Sequence, residues 1–199
     1  MIEKLLLISE PWLQYAIRLN LLSESKECLT ALRNEALKNS RIQSHFKAIS
    51  DFHSTLVSNH KNPELLFYKL IFLLDLGFVT DTPEIEKAIG QLTSHKDKNE
   101  VYQSLTNIPK HFGGTGTDIF GWCLCDAPLL LLALVKANAD YRQYIKPGVD
   151  YLVTLHQPQG FPCSVSEEFG KFRGPGRKDD PCPYATLNML KLLSEIEEY

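Results

Sequence analysis

The richest chemistry in the sequence lies between Phe169 and Tyr184, which reads Phe-Gly-Lys-Phe-Arg-Gly-Pro-Gly-Arg-Lys-Asp-Asp-Pro-Cys-Pro-Tyr. Gly170, Gly174 and Gly176 let backbone amides turn toward a ligand, and Lys171, Arg173, Arg177 and Lys178 supply positive charge. Arginine guanidinium groups grip phosphate oxygens in pairs. A helix is expected to begin near Pro183, and a helix N-terminus adds partial positive charge for an anion. One reading is therefore an anion site for a phosphate or diphosphate, held by Lys171, Arg173, Arg177 and Lys178. The other pairs these cations with Glu167, Glu168, Asp179 and Asp180, with Asp180 capping the helix.

The five cysteines are Cys28, Cys123, Cys125, Cys163 and Cys182. Cys125, Cys163 and Cys182 fall in loops or at helix starts on one predicted rim, together with His111, Asp126 and Asp180. Zinc takes about four sulfur, nitrogen or oxygen ligands in a tetrahedron, so this set is a candidate metal site. No Cys-x-x-Cys pair supports it, and small buried hydrophobes are the alternative reading of the same thiols. A thiol at a helix N-terminus can also be a nucleophile, which makes Cys125 or Cys182 with His111 or His156 a second candidate. Lys110-His-Phe-Gly-Gly-Thr-Gly116 lacks the Gly-Lys-Ser/Thr ending of a phosphate loop, and no strand precedes it.

Helices must position these residues. Nine of the eleven glycines fall at or after Gly113, so the first half reads as nearly continuous helix and the second as helices joined by glycine-bearing loops. The N-terminal segments Ile2–Leu22, Glu24–Asn39 and Arg41 to about Leu56 are charged and amphipathic, and suit a cap over residues 1–62. Pro63–Leu76 and Ala127–Ala137 are apolar all round, which predicts burial on every side. Thr82–Lys96 and Pro147–His156 carry single apolar stripes, and Pro183–Ile196 a wide apolar face. Strand signals are weak, limited to short pieces such as Val101–Gln103. The alternation contains an internal repeat. Gln91-Leu92 and Glu100-Val-Tyr102 match Tyr151-Leu152 and Gly160-Phe-Pro162. Phe112-Gly113 and Cys125 match Phe169-Gly170 and Cys182. Each unit runs outer helix, loop, inner helix, so the fold expectation is an all-α arrangement of two helical layers over residues 63–199.

The chain has 199 residues, 44% of them hydrophobic and 23% charged, which is the composition of a globular protein and not of a disordered or fibrous one. A net charge of −3 gives no electrostatic case for nucleic acid. The longest apolar run, Ala127–Val135, is far short of a membrane span. The four-residue apolar run near Met1 is too short for a signal-peptide core, and a cytoplasmic location with reduced thiols is expected.

Gly148-Val-Asp-Tyr-Leu152 followed by Gly160-Phe-Pro resembles the outer-helix motif of the terpenoid cyclase and protein prenyltransferase superfamily. The stretch Gly170–Tyr184 also resembles a group of uncharacterised bacterial prenyltransferase-like proteins. The resemblance covers about residues 63–199 and implies an incomplete α/α toroid behind the N-terminal helical cap. Two and a half units do not close a ring of five or six, so the arc is expected to belong to a longer protein or to pair with another copy. Asp180-Pro-Cys182-Pro-Tyr184 resembles the Asp-x-Cys-Tyr run that opens an inner helix in the farnesyltransferase beta-subunit family. By that resemblance Asp180 and Cys182 are zinc ligands, and Arg173, Arg177 and Lys178 cradle an isoprenoid diphosphate. No histidine follows His156, and one proline is inserted. The cyclase Asp-x-Asp-Asp and Asp-Asp-x-x-Asp runs are absent, and the sequence has only Trp12 and Trp122 to line a carbocation cavity. Two functions are carried forward. One is a prenyltransferase-like protein binding an anionic, isoprenoid-type ligand, with zinc as the implied cofactor on Asp180, Cys182, Cys125 and Cys163. The other is a non-catalytic helical-repeat module that binds a protein partner or a second copy.

Overall fold

The computed structural model describes residues 2–170, 172 and 180–199. The candidate cations Lys171, Arg173, Arg177 and Lys178 lie outside the described residues. The described chain is all-α with one small sheet. Its helices are α1 (Ile2–Ile8), α2 (Pro11–Asn20), α3 (Thr30–Lys38), α4 (Ser40–Ile49), α5 (Leu66–Asp75) and α6 (Pro83–Leu92). The strands β1 (Ser104–Asn107) and β2 (Asp118–Gly121) follow, then α7 (Ala127–Lys136), α8 (Lys146–Val153) and α9 (Pro183–Leu193). No helix among the described residues is long and apolar enough to cross a membrane.

Helix boundaries follow local chemistry. The expected Ile2–Leu22 helix is two helices, because Pro11 has no N–H to give and fits only the first turn of α2. The third expected segment begins as α4, where the Asn39 side chain accepts from the Arg41 N–H at 3.0 Å. It ends at Ile49, short of Leu56. Residues 50–65 are non-helical, and 57–61 among them build a wall of the cavity described below.

α7 is the centre of the core. Ala127 to Leu134 are all buried, and α7 packs against α5, α8 and α9. One apolar cluster runs from Tyr15, Ile42 and Phe46 through Leu70 and Leu73 to Met189 and Leu192, so the N-terminal helices share a core with the rest. α5 is buried on one side only. Leu66, Phe67, Leu70, Leu73 and Leu74 face inward while Phe72 is exposed. Burial on all sides, expected for both α5 and α7, holds for α7 alone.

The internal repeat has a structural counterpart. Glu100 and Gly160 occupy matched positions, and both have positive φ (64° and 123°). Each N–H closes the same turn, Glu100 N–H onto Asp97 O at 3.1 Å and Gly160 N–H onto Gln157 O at 2.9 Å. Phe112-Gly113 and Phe169-Gly170 each end a single 3-10 turn with glycine at positive φ.

The sheet is a finding the sequence pattern did not show. β1 and β2 pair antiparallel with Ser104 opposite Gly121 and Asn107 opposite Asp118. Four-residue strands, one ending in Asn107 and the other beginning with Asp118, are too short to display an alternating pattern. Ring packing fixes the sheet, because the Phe169 ring lies where a Cβ on Gly121 would sit, 2.6 Å from Cζ.

Candidate functional site

A cavity of about 800 Å3 opens beside the starts of α7 and α9. Its apolar wall includes Val57, Ile108, Phe112, Phe172 and Leu187, and three thiols, Cys125, Cys163 and Cys182, line it together. His60, Lys61 and Tyr184 complete a polar side.

Each group is placed by backbone geometry. Val57 N–H donates to Leu105 O at 2.8 Å, which lays residues 57–61 beside β1. The Tyr68 and Tyr184 hydroxyls both donate to the His60 carbonyl, at 2.7 and 3.0 Å, and contact each other. Burial and the adjacent Tyr184 hydroxyl push the Tyr68 hydroxyl well above the usual phenol range. Lys61 sits over the Tyr184 ring at 5.7 Å.

Cys125 stands just before α7, and its carbonyl accepts from the buried Asn188 Nδ2 at 2.7 Å, which ties α9 to this corner. Cys182 is the N-cap of α9, and its Sγ accepts from Ala185 N–H at 3.5 Å. The cap is thus Cys182 and not Asp180, as one sequence reading had it. Cys182 N–H donates to Phe161 O at 2.8 Å, which brings the α9 start against the strand-like stretch bearing Cys163. The neighbouring Cys125 thiol draws Cys163 below the ordinary thiol value, and Cys163 together with burial raises Cys125 above it.

Behind the cavity, Asp126 is fully buried. Its Oδ1 accepts from Cys123 N–H at 2.8 Å. Its Oδ2 faces His60 Nδ1 at 3.7 Å, and neither of these two atoms has a hydrogen-bond partner among the described residues. Burial raises the Asp126 carboxyl above its usual value, with His60 opposing.

Of the expected site residues, Cys125, Cys163 and Cys182 come together in the cavity. Asp180 is exposed and is not part of the lining. Among the described residues no three His, Cys, Asp or Glu side chains are placed to hold a metal ion. Zinc needs about four such ligands, so the described residues do not fit the expected zinc site. The candidate partners His111 and His156 are both exposed outside the cavity, and His60 is the histidine that lines it. Glu167 pairs with Lys98 at 2.7 Å and Glu168 accepts from Gln103 at 3.1 Å, so both acids suggested as partners for the basic segment have other contacts.

No protein-family model, curated protein or solved structure matches the chain.

Proposed function

We propose that the chain binds an amphipathic ligand with an apolar body and an anionic head, an isoprenoid diphosphate being the class that fits, within an arc of α/α-toroid type. One observation carries this reading. The cavity is large, its walls are mainly apolar, and Phe172 and Cys182, which flank the segment bearing Arg173, Arg177 and Lys178, both line it. Ligand pockets of roughly 300–1,000 Å3 with few polar groups are the usual form for small-molecule sites, and Lys61 adds a described cation to the lining. The packing of α7 between α5 and α9, with α8 behind it, supports the arc.

The test is calorimetric titration of the full chain with farnesyl diphosphate and, separately, inorganic diphosphate. Saturable binding of farnesyl diphosphate, weakened at least tenfold in Arg173→Ala/Arg177→Ala and lost in Cys182→Trp, is the expected result. Binding unaffected by these changes, or none, overturns the reading.

A second reading, a non-catalytic helical-repeat module, has one observation in its favour. α9 turns Leu187 and Leu190 to solvent, 48% and 57% exposed. A concentration-dependent dimer in sedimentation equilibrium, abolished by Leu190→Lys, would favour it.

A further inference from the structure

Two segments far apart in sequence form a short antiparallel ladder beside the cavity. Ser166 N–H donates to Trp122 O at 2.8 Å and Leu124 N–H donates to Ser164 O at 2.9 Å. Between these bonds Cys123 stands directly opposite Val165. Cys123 and Val165 are therefore a non-hydrogen-bonded pair, the class in which Cα atoms approach to about 4.5 Å. The ladder ends here, since residues 124–126 turn into α7 and Ser164 N–H bonds to Pro162 O at 3.0 Å. The Leu124–Ser164 bond sets Cys125 and Cys163, the next residue on each side, near one another, and both thiols line the same cavity wall.

We propose that Cys125 and Cys163 are a redox-active dithiol that closes to a reversible disulfide in the cavity wall, with low-molecular-weight disulfides as the oxidant. The Cys163 thiolate attacks one sulfur of the small disulfide, forming a mixed disulfide and releasing one reduced thiol. Cys125 then loses its proton and attacks the Cys163 sulfur, and the second small thiol leaves. Two protein thiols are oxidised and one small disulfide is reduced to two thiols. Both thiols are partly buried in the cavity wall; Cys163, drawn below the ordinary thiol value, is the attacking sulfur, and Cys125 is the resolving one. The remaining cysteines lack this arrangement. Cys28 is exposed in the N-terminal helical region, Cys123 is buried opposite Val165, and the Cys182 sulfur accepts from the backbone of α9.

The dithiol goes beyond the ligand-binding proposal, and thiol chemistry reads it without any ligand. The purified full chain is incubated with oxidised glutathione, denatured, alkylated and analysed by intact mass and peptide mapping. Three of the five thiols are expected to remain alkylatable, with a mass loss of two hydrogens, a Cys125–Cys163 linked peptide, and full recovery with dithiothreitol. Cys125→Ser is expected to trap glutathione on Cys163, and Cys28→Ser to change nothing at the pair. Five persistent thiols, glutathione held on Cys163 in the wild-type chain, or a linkage through Cys182 overturns the proposal. The wild-type map decides the question even where a variant fails to fold.

Discussion

Replacing Asp126 with asparagine tests the electrostatics behind the cavity. The carboxyl is fully buried, with Oδ1 bonded to Cys123 N–H and Oδ2 unpaired 3.7 Å from His60 Nδ1. Burial is the largest influence and raises the folded-state pKa above the ordinary 3.8. The sign follows from proton linkage. Between the unfolded and folded values the native state binds more protons, so stability is fully present below 3.8 and is lost as pH rises through the folded value. One proton sets a slope of at most about 1.4 kcal/mol per pH unit. Asparagine keeps an oxygen for Cys123 N–H and cannot ionise, so Asp126→Asn should cost about 1 kcal/mol or less near pH 4. It should become progressively more stable than wild type as pH rises. Urea unfolding from pH 4 to 8, followed through the buried Trp122, measures both curves, and their difference cancels the slopes of all other groups. Parallel curves, or a wild type that gains on the variant with rising pH, would show that Asp126 ionises in the folded chain at least as readily as in the unfolded one, and the argument would fail.

Four further outcomes follow from particular contacts. Gly121→Ala should destabilise by about 1–3 kcal/mol, because its Cβ would lie 2.6 Å from the Phe169 ring, and Phe169→Leu in the same chain should recover part of that loss in urea unfolding. Tyr184→Phe should cost about 1 kcal/mol through its bond to the His60 carbonyl, and ultraviolet titration should show Tyr68 moving back toward the ordinary phenol value. Asn188→Ala leaves the Cys125 carbonyl without its 2.7 Å donor and should cost about 1–3 kcal/mol by thermal unfolding. Glu100→Gly should stabilise by up to about 1 kcal/mol, since a left-handed conformation costs a non-glycine residue about 1–2 kcal/mol and the exposed Lys96 pair lost with it contributes less.

The legible part of the fold was the part governed by period and punctuation. The apolar run of α7 and the prolines opening α6, α7 and α9 mark those helices in the sequence, and the repeat turns at Glu100 and Gly160 sit where the matched motifs place them. Three of the cavity's residues, Cys125, Cys163 and Cys182, were equally visible as thiols at predicted helix starts and loops. The helix expected to reach Leu56 was not, because its amphipathic pattern fades gradually while tertiary contacts decide where it stops. Phe52 N–H, for example, bonds to the Gln91 side chain instead of continuing α4.

His60 was illegible for a related reason. It lies in a polar stretch, Ser58-Asn-His-Lys-Asn62, with no periodicity and no motif. Its position comes from contacts distant in sequence: the Val57 bond to Leu105, the two tyrosine hydroxyls on its carbonyl, and Asp126 across the buried gap. The same holds for the pairing of Cys125 with Cys163. Neither neighbourhood signals the other. The bonds Ser166–Trp122 and Leu124–Ser164 bring the two segments together. The chemistry of this corner therefore resides in long-range backbone bonds: the Leu124–Ser164 bond sets two thiols near one another in the cavity wall, and the edge of β1 carries a histidine to a buried acid.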